Sequence, residues 1–179
     1  MKLDAAADVI AQTPRLILRC LNASDPALIQ PLADDWEVAK QTANLPFPYG
    51  DKEARNFVEL ALRAAGAGKE FVFAIVRRQD AALIGLIGVV ADVAPMETGY
   101  WLGRDYWGHG YASEALQAVM NYCAESLRCR RLDAVVFEDN AASIRVLTKC
   151  GFEHRERWEE EVPDRGGLRV ILRYQWRAA

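Results

Sequence analysis

Hydrophobic positions recur at helical spacing in several stretches of this chain. The clearest stretch covers residues 110–127, where apolar residues repeat every three or four positions and polar residues take the opposite face. The apolar face consists of Ala112, Leu116, Val119, Cys123 and Leu127. Similar patterns predict further helices at residues 24–33, 36–42, 51–65 and 140–149.

Other stretches alternate with a period of two or form short apolar runs, which is typical of β-strands. The predicted strands are residues 15–19, 70–77, 82–90, 97–102 and 132–137, followed by a C-terminal hairpin that turns at residues 163–167. The first dozen residues are rich in alanine and aspartate, and we expect residues 1–12 to be flexible. These elements predict an α+β fold, with a mixed, mostly antiparallel sheet of six or seven strands flanked by helices. The length of 179 residues fits a single domain.

Composition narrows the functional classes. The net charge of −3 provides no general attraction for nucleic acid or for an anionic membrane, so we expect neither as a partner. The four cysteines lack a paired metal-binding spacing, and we expect no metal. The start of the chain has no signal-peptide pattern and no stretch is apolar enough to span a bilayer, so the cytoplasm is the expected location.

A glycine-rich turn joins the predicted strand at residues 97–102 to the long helix that follows. Gly108 and Gly110 lack side chains, so a phosphate group is able to approach the backbone there. Amide groups in the first turn of the helix, from Tyr111 onwards, form an anion site that the helix dipole strengthens. A plain turn before a helix is the alternative interpretation.

Two common phosphate-binding patterns do not fit this turn. A Walker loop requires a lysine directly after its last glycine, but Tyr111 follows Gly110. A dinucleotide fingerprint requires a third glycine, and Ser113 stands at that place.

Residues 107–112, Trp-Gly-His-Gly-Tyr-Ala, resemble the acetyl-CoA loop of the GNAT acetyltransferases, [QR]-x-x-G-x-[GA]. Trp107 stands where many members carry Gln or Arg, but the branch that acetylates ribosomal-protein amino termini (the RimJ/RimL type) often reads W-G-x-G-Y-A there. Residues 13–19, 45–49, 97–102 and 140–152 resemble the same branch in the same order. The resemblance implies the GNAT fold. It also implies transfer of acetyl from acetyl-CoA to the primary amine of a protein N-terminus or small molecule, with CoA as product.

The resemblance also implies where the cofactor binds. Contacts are expected from the strand before the loop, from the loop and from the helix at residues 140–149. The residues are Trp101, Leu102, Gly103, Trp107, Gly108, His109, Gly110, Tyr111, Ala112, Ser113, Asn140, Arg145 and Lys149. Asn140 as an ordinary helix N-cap, and Arg145 and Lys149 as solvated helical cations, are the alternatives.

Acyl transfer to an amine needs a base, because an alkyl ammonium with a pKa of about 10 must lose a proton before it attacks. Glu97 is the candidate base, at the start of the strand that leads to the loop. In the resembling family Ser143 lies near the sulfur as a proton donor, and a tyrosine often follows Asn140 by seven positions. Here that position is Leu147. A solvated carboxylate and a first-turn polar residue are the alternatives for Glu97 and Ser143.

Three aromatic residues, Trp36, Phe47 and Tyr49, are candidates for the wall of the acceptor site, and equally for plain core residues. A non-catalytic acyl-CoA sensor is the alternative function, although the presence of both Glu97 and Ser143 favours an enzyme. We also consider a homodimer.

Overall fold

The computed structural model describes residues 9–178 of the chain, which form eight strands and five helices. The strands are β1 (Val9–Gln12), β2 (Leu16–Cys20), β3 (Glu70–Arg77), β4 (Ala82–Val90), β5 (Met96–Leu102), β6 (Arg131–Phe137), β7 (Glu153–Val162) and β8 (Gly167–Arg177). The helices are α1 (Pro26–Ala33), α2 (Trp36–Ala39), α3 (Asp51–Gly66), α4 (Tyr111–Glu125) and α5 (Ala141–Lys149).

All eight strands form one sheet in the order β1-β2-β3-β4-β5-β6-β8-β7. Every neighbouring pair is antiparallel except β5 and β6, which run parallel. The predicted α+β class and the mixed, mostly antiparallel sheet are therefore confirmed, but the sheet has eight strands and not six or seven.

The additional strand is β1, which lies within the segment predicted to be flexible. The Thr13 amide and hydroxyl both donate to the Leu16 carbonyl, at 2.9 and 3.3 Å, and this turn folds β1 back onto β2. A four-residue strand is too short to show a hydrophobic period, which is why the sequence pattern missed it. Residues 1–8, the rest of that segment, lie outside the described residues.

Two apolar cores lie on opposite faces of the sheet. One contains Leu116 of α4 and Leu147 of α5, and the other contains Ile29 of α1 and Val58 of α3. Successive residues of β5 point to opposite faces, so Tyr100 and Leu102 pack with the α4/α5 core while Trp101 packs with the α1/α3 core.

The parallel strands β5 and β6 separate soon after they meet. They are paired only at Met96–Leu132 and Glu97–Asp133, whereas β5 stays paired with β4 as far as Leu102. A wedge-shaped gap therefore opens toward the carboxyl ends of β5 and β6. Helices α4 and α5 each follow one of these two strands, so both helices begin beside the open end of the gap.

Candidate active site

The turn before α4 has the backbone conformation that an anion cradle requires. Gly108 and Gly110 adopt φ angles of 77° and 78°, a left-handed region that residues with side chains rarely occupy. No heavy atom lies within 4 Å of the place that a Cβ would take at Gly108, so the space beside this residue is open. The first amide of α4 bonded within the helix is that of Glu114, which donates to the Gly110 carbonyl at 3.2 Å. The preceding amides in the first turn are free of helical partners and fit a pyrophosphate group.

Two side-chain contacts tie this loop to other parts of the molecule. The Trp107 indole nitrogen donates to the Leu102 carbonyl at 2.8 Å, which ties the loop back to the end of β5. The Arg15 guanidinium donates to the His109 carbonyl at 2.8 Å and to the Glu114 carboxylate at 2.6 Å. Its Nη2 atom lies 3.5 Å from the place of a Gly110 Cβ, so the loop carries a cation beside it. Sequence patterns did not reveal Arg15, because it lies far from the loop along the chain.

The other predicted phosphate contacts lie at the surface, His109 in the loop before α4, Arg145 in the middle of α5 and Lys149 at its last residue. His109 is exposed, with its ring centroid 5.8 Å from that of Tyr111. Arg145 and Lys149 are exposed on α5 and have no ion-pair partner among residues 9–178. All three side chains are therefore accessible to a ligand, and their contacts with a cofactor stay a prediction.

The backbone of β5 directs alternate residues toward β4 and toward the gap. The Gly103 amide donates to the Ile84 carbonyl at 2.9 Å, so it is engaged with β4. Hydrogen bonding alternates along an antiparallel pair, so the backbone amide and carbonyl of Trp101 are expected to face β4 as well. The Leu102 carbonyl, which accepts from the Trp107 indole, faces the gap. The backbone amide and carbonyl of Tyr100 are expected to face the gap too. The Gly103 amide is therefore engaged with β4 and the Leu102 carbonyl with Trp107, so the Tyr100 backbone groups and the Leu102 amide are left facing the gap. The cofactor contacts of Trp101, Leu102 and Gly103 stay a prediction.

A tyrosine from β5 contacts the candidate serine of α5. The Tyr100 hydroxyl lies 2.9 Å from the Ser143 Oγ and 3.4 Å from the Ser143 carbonyl oxygen. Burial raises the pKa of Tyr100, so the hydroxyl stays protonated at neutral pH. The Ser143 amide donates to the Asn140 side-chain oxygen at 3.0 Å, so Asn140 is the N-cap of α5. Leu147 is 1% exposed and belongs to the core, which leaves no hydroxyl at that position.

The candidate base lies where β5 and β6 part. Glu97 is half-buried and faces Asp133 across the last residue pair that joins the two strands. Burial raises the pKa of the Glu97 carboxyl, the positive charge of Arg173 lowers it, and the negative charge of Asp133 raises it. Trp101, on the same strand, packs on the α1/α3 core, so Glu97 points to the α1/α3 face.

Asp133 is itself a buried anion, with 5% exposure. It accepts a hydrogen bond from the Gln175 amide at 2.7 Å and lies 3.9 Å from the Arg173 guanidinium. Arg173 also pairs with Glu156 at 2.8 Å. The sequence analysis did not predict this group of Asp133, Gln175 and Arg173 beside Glu97. A carboxylate within the otherwise apolar strand β6 could have indicated it.

Glu97 and Tyr100 thus approach the gap from opposite faces of the sheet. They are three residues apart on β5, about 10 Å along a strand at ~3.3 Å per residue. A reacting group held in the gap would have the carboxylate on the α1/α3 side and the Tyr100–Ser143 hydroxyl pair on the α4/α5 side.

Two of the three predicted acceptor-site aromatics form an exposed pair. Trp36 and Phe47 are 43% and 46% exposed, and their ring centroids are 5.4 Å apart. Tyr49 is only 2% exposed and packs in the α1/α3 core, because the Asp34 carboxylate accepts its amide hydrogen and turns the segment inward. Tyr49 is therefore a core residue and not an acceptor-site wall.

The turn between β7 and β8 closes against the segment that carries Phe47. Arg165 is 5% exposed and donates to the carbonyls of Thr42, at 2.7 Å, and Leu45. Its guanidinium carbon lies 6.0 Å from the Trp36 ring centroid. The exposed aromatic pair is therefore bordered by the β7–β8 hairpin. Sequence patterns gave no indication of this contact.

Comparison with known proteins identifies the family. The model of the acetyltransferase (GNAT) domain matches residues 15–153. The chain belongs to the GNAT acetyltransferase family. It is 31% identical over 144 residues to the uncharacterized N-acetyltransferase p20 of Bacillus licheniformis, covering 79% of this chain and 80% of that protein. It is also 30% identical over 120 residues to the ribosomal-protein-serine acetyltransferase of Escherichia coli strain K12, covering 63% and 64% of the two chains.

Solved structures support the GNAT fold. The structure of Mycobacterium smegmatis RimJ in complex with CoA-disulfide superposes with a TM-score of 0.81 at 20% identity, covering 96% of this chain and 85% of that chain. The predicted resemblance to the RimJ/RimL type is therefore confirmed, and the protein is an acetyl-CoA-dependent N-acetyltransferase. The alternative of a non-catalytic sensor is not supported.

Residues 9–178 of this GNAT enzyme hold neither a metal-binding cluster nor a membrane-spanning helix. They contain no group of three or more His, Cys, Asp or Glu side chains arranged to hold a metal ion. None of the helices in the same range is both long and apolar enough to cross a membrane.

Proposed function

We propose that the enzyme acetylates a primary amine, of a protein N-terminus or of a small molecule, by direct attack in a ternary complex. The observation that carries this proposal is the position of Glu97. It is a half-buried carboxylate with a raised pKa at the point where β5 and β6 separate, on the face opposite the Tyr100–Ser143 pair. A raised pKa brings a carboxylate closer to the working pH, where a general base is most effective.

The cofactor fits the open end of the gap. The free amides at the start of α4, together with Gly108 and Gly110, suit the pyrophosphate, and Arg15 adds positive charge beside them. The backbone groups of Tyr100 and Leu102 that face the gap suit the amide groups of the pantetheine arm. The Asn140 side-chain nitrogen has no protein partner among the described residues and suits the same arm. Exposed Arg145 and Lys149 suit the remaining phosphate.

The proton transfers balance with one base. The bound cofactor supplies an acetyl thioester. Glu97 takes one proton from the acceptor ammonium and passes it to water, which exposes the nitrogen lone pair. The C–N bond then forms and the C–S bond breaks, with its electron pair left on sulfur. The nitrogen then loses its second proton, and the thiolate sulfur gains a proton. The products are therefore the acetylated amine and CoA.

The acceptor approaches from the α1/α3 face, the side to which Glu97 points. The exposed Trp36–Phe47 pair and the docked β7–β8 turn border this side and suit the apolar part of an acceptor. The E. coli relative is named for a ribosomal-protein serine, which supports a protein N-terminus as one of the acceptor classes to be tested.

The test is a panel of peptides with free α-amines and of small primary amines, scored by release of the CoA thiol. At least one acceptor is expected to give acetyl-CoA-dependent release with one acetylated product per thiol. Release of thiol without an acetylated amine, or no release from any acceptor, would contradict the proposal. Blocking the amine of the active acceptor by prior acetylation is the matched control and should abolish the reaction.

A further inference from the structure

Gly99 is an exposed glycine in the middle of β5, an inner strand of the sheet. It lies between Glu97 and Trp101, and the alternation of side chains along a strand puts all three residues on the α1/α3 face. A glycine in a strand interior weakens the strand, because it has no side chain to pack and loses more chain entropy on folding than other residues. Glycine at this position is therefore expected to have a physical reason.

The usual structural reasons for a strand glycine do not apply to Gly99. Its φ angle lies outside the left-handed region, and the register of β4 and β5 runs through six residue pairs without a bulge. No heavy atom of the described residues lies within 4 Å of the place that a Cβ would take. Gly85 of β4 differs, because a Cβ there would lie 2.2 Å from the Trp101 carbonyl oxygen. The reason that remains for Gly99 is the close approach of a ligand.

The space beside Gly99 opens into the gap between β5 and β6. The strands are last paired at Glu97–Asp133, so Val135 takes the position opposite Gly99 when the same register is continued across the gap. Val135 is 40% exposed, although β6 is also an inner strand. Its two neighbours on β6 pack in the α4/α5 core, so Val135 points to the α1/α3 face. The gap therefore has an open mouth on this face, between a residue without a side chain and an exposed valine.

This mouth lies next to the proposed base. Gly99 follows Glu97 on the same face of β5, about 7 Å further along the strand at ~3.3 Å per residue. An acceptor amine bound to the Glu97 carboxylate therefore has the carbon that bears it close to Gly99. Trp101 borders the far side of this space, because its side chain packs on the α1/α3 core.

We propose that Gly99 is a specificity-determining residue for the acceptor. The space above it receives a substituent on the carbon that bears the amine. A side chain at position 99 would fill this space and would exclude an acceptor branched at that carbon before an unbranched one. The inference rests on the proposed acyl transfer and names the part of the acceptor that the site selects.

Gly99→Ala tests the inference with matched pairs of acceptors. The pairs are propylamine and isopropylamine, two tripeptide amides that differ only in glycine or valine as the first residue, and the best acceptor of the panel with its analogue methylated at the amine-bearing carbon. We expect kcat/KM, measured by thiol release, to fall at least about tenfold more for the branched member of an active pair, the discrimination that a methyl group gives in an enclosed site. The dissociation constant of acetyl-CoA should not change.

The matched control is Gly66→Ala, at the exposed last residue of α3. Gly66 also has a φ outside the left-handed region and no heavy atom within 4 Å of a Cβ. Replacement of glycine by alanine stabilises a protein where the backbone accepts it without strain, so thermal melting should show no loss of stability in either variant. Gly66→Ala should leave the branched-to-unbranched ratio of kcat/KM unchanged.

Val135→Ala tests the other side of the mouth. The smaller side chain widens the opening, so the branched-to-unbranched ratio of kcat/KM should rise, opposite to the change in Gly99→Ala. This variant keeps the inference testable by a change that adds no atoms to β5.

Three results would overturn the inference. They are an unchanged branched-to-unbranched ratio in Gly99→Ala, an equal loss for both members of each active pair, and a loss of acetyl-CoA affinity without a change in acceptor preference. Failure of the proposed function looks different, because the native enzyme would then release no CoA thiol with any of the amines.

Discussion

Glu97 and Asp133 face each other across the last residue pair that joins β5 to β6. Beyond this pair the strands separate, so two carboxylates stand at the narrow end of the gap. Burial raises the pKa of the Glu97 carboxyl most, Arg173 lowers it, and the negative charge of Asp133, which Gln175 holds at 2.7 Å, raises it further. The junction of the strands therefore both opens the site and tunes the residue proposed as its base.

Substitution of Glu97 by glutamine tests the base directly. Glu97→Gln keeps the shape and the hydrogen-bonding capacity of the side chain but is unable to accept a proton. We expect kcat/KM at neutral pH to fall by about 10²–10⁴-fold, with cofactor affinity unchanged. The loss should shrink as the pH approaches the pKa of the acceptor amine, because free amine then needs no base. The measurement is kcat/KM against pH for both proteins.

The matched control is Glu59→Gln, a carboxylate exposed on α3, which should leave the profile unchanged. A general base contributes at least ~10²-fold to kcat/KM. If the kcat/KM profiles of the native enzyme and Glu97→Gln are parallel and differ by less than about threefold, Glu97 is a solvated carboxylate and not the base.

Neutralisation of Asp133 should move the acidic limb of the same profile. The Glu97 carboxyl must be deprotonated to act, so kcat/KM falls as the pH decreases through its raised pKa. Asp133→Asn removes a negative charge that raises the Glu97 pKa. It also leaves the positive charge of the nearby Arg173 without the neutralising carboxylate of Asp133, and this positive charge lowers the Glu97 pKa. Both effects lower the Glu97 pKa, so the acidic limb should shift to lower pH. A shift to higher pH would show that the limb belongs to another group.

The conformation of Gly110 should be necessary for cofactor binding. Gly110→Val introduces a branched side chain at a φ of 78°, and holding such a residue there costs about 1–3 kcal/mol. The loop is expected to relax into another conformation, and the affinity for acetyl-CoA measured by calorimetry should fall at least about tenfold.

Gly68 provides the control, since it has a φ of 71° with open space around it, at the C-terminal end of α3. Gly68→Val imposes similar backbone strain away from the loop and should leave acetyl-CoA affinity unchanged. Equal affinity in Gly110→Val and the native protein would remove this loop from the cofactor site.

The exposed aromatic pair should contribute to acceptor binding. Trp36→Ala removes a ring whose centroid lies 5.4 Å from that of Phe47, and an aromatic contact is worth about 0.5–1.5 kcal/mol. The KM for the acceptor should rise by about two- to tenfold, with the dissociation constant of acetyl-CoA unchanged. Leu28→Ala, at an exposed apolar residue of α1, should have no effect on either quantity. A change confined to the acetyl-CoA constant would place Trp36 on the cofactor side.

Much of the local structure followed from the sequence because it depends on local spacing. The helical period over residues 110–127 predicted α4, and the apolar runs over residues 70–77 and 82–90 predicted β3 and β4 with the bounds that the structure has. The glycines predicted a tight turn at a helix start, and in the structure Gly108 and Gly110 take the left-handed conformation that residues without a side chain adopt readily. Asn140 as the N-cap of α5 was the alternative to its predicted cofactor contact, and this cap is also local, because it lies within one helical turn.

Only the tertiary structure decided which distant residues meet. The Tyr100–Ser143 contact spans 43 positions and the Arg15–Glu114 contact spans 99, and no hydrophobic period encodes a partner so far away. Trp36, Phe47 and Tyr49 were indistinguishable in sequence, yet the first two are exposed and the third is 2% exposed, because the Asp34 carboxylate turns its backbone inward. Periodicity shows which face of an element is apolar. The separation of β5 from β6, which creates the gap, depends on the packing of whole strands against α4 and α5.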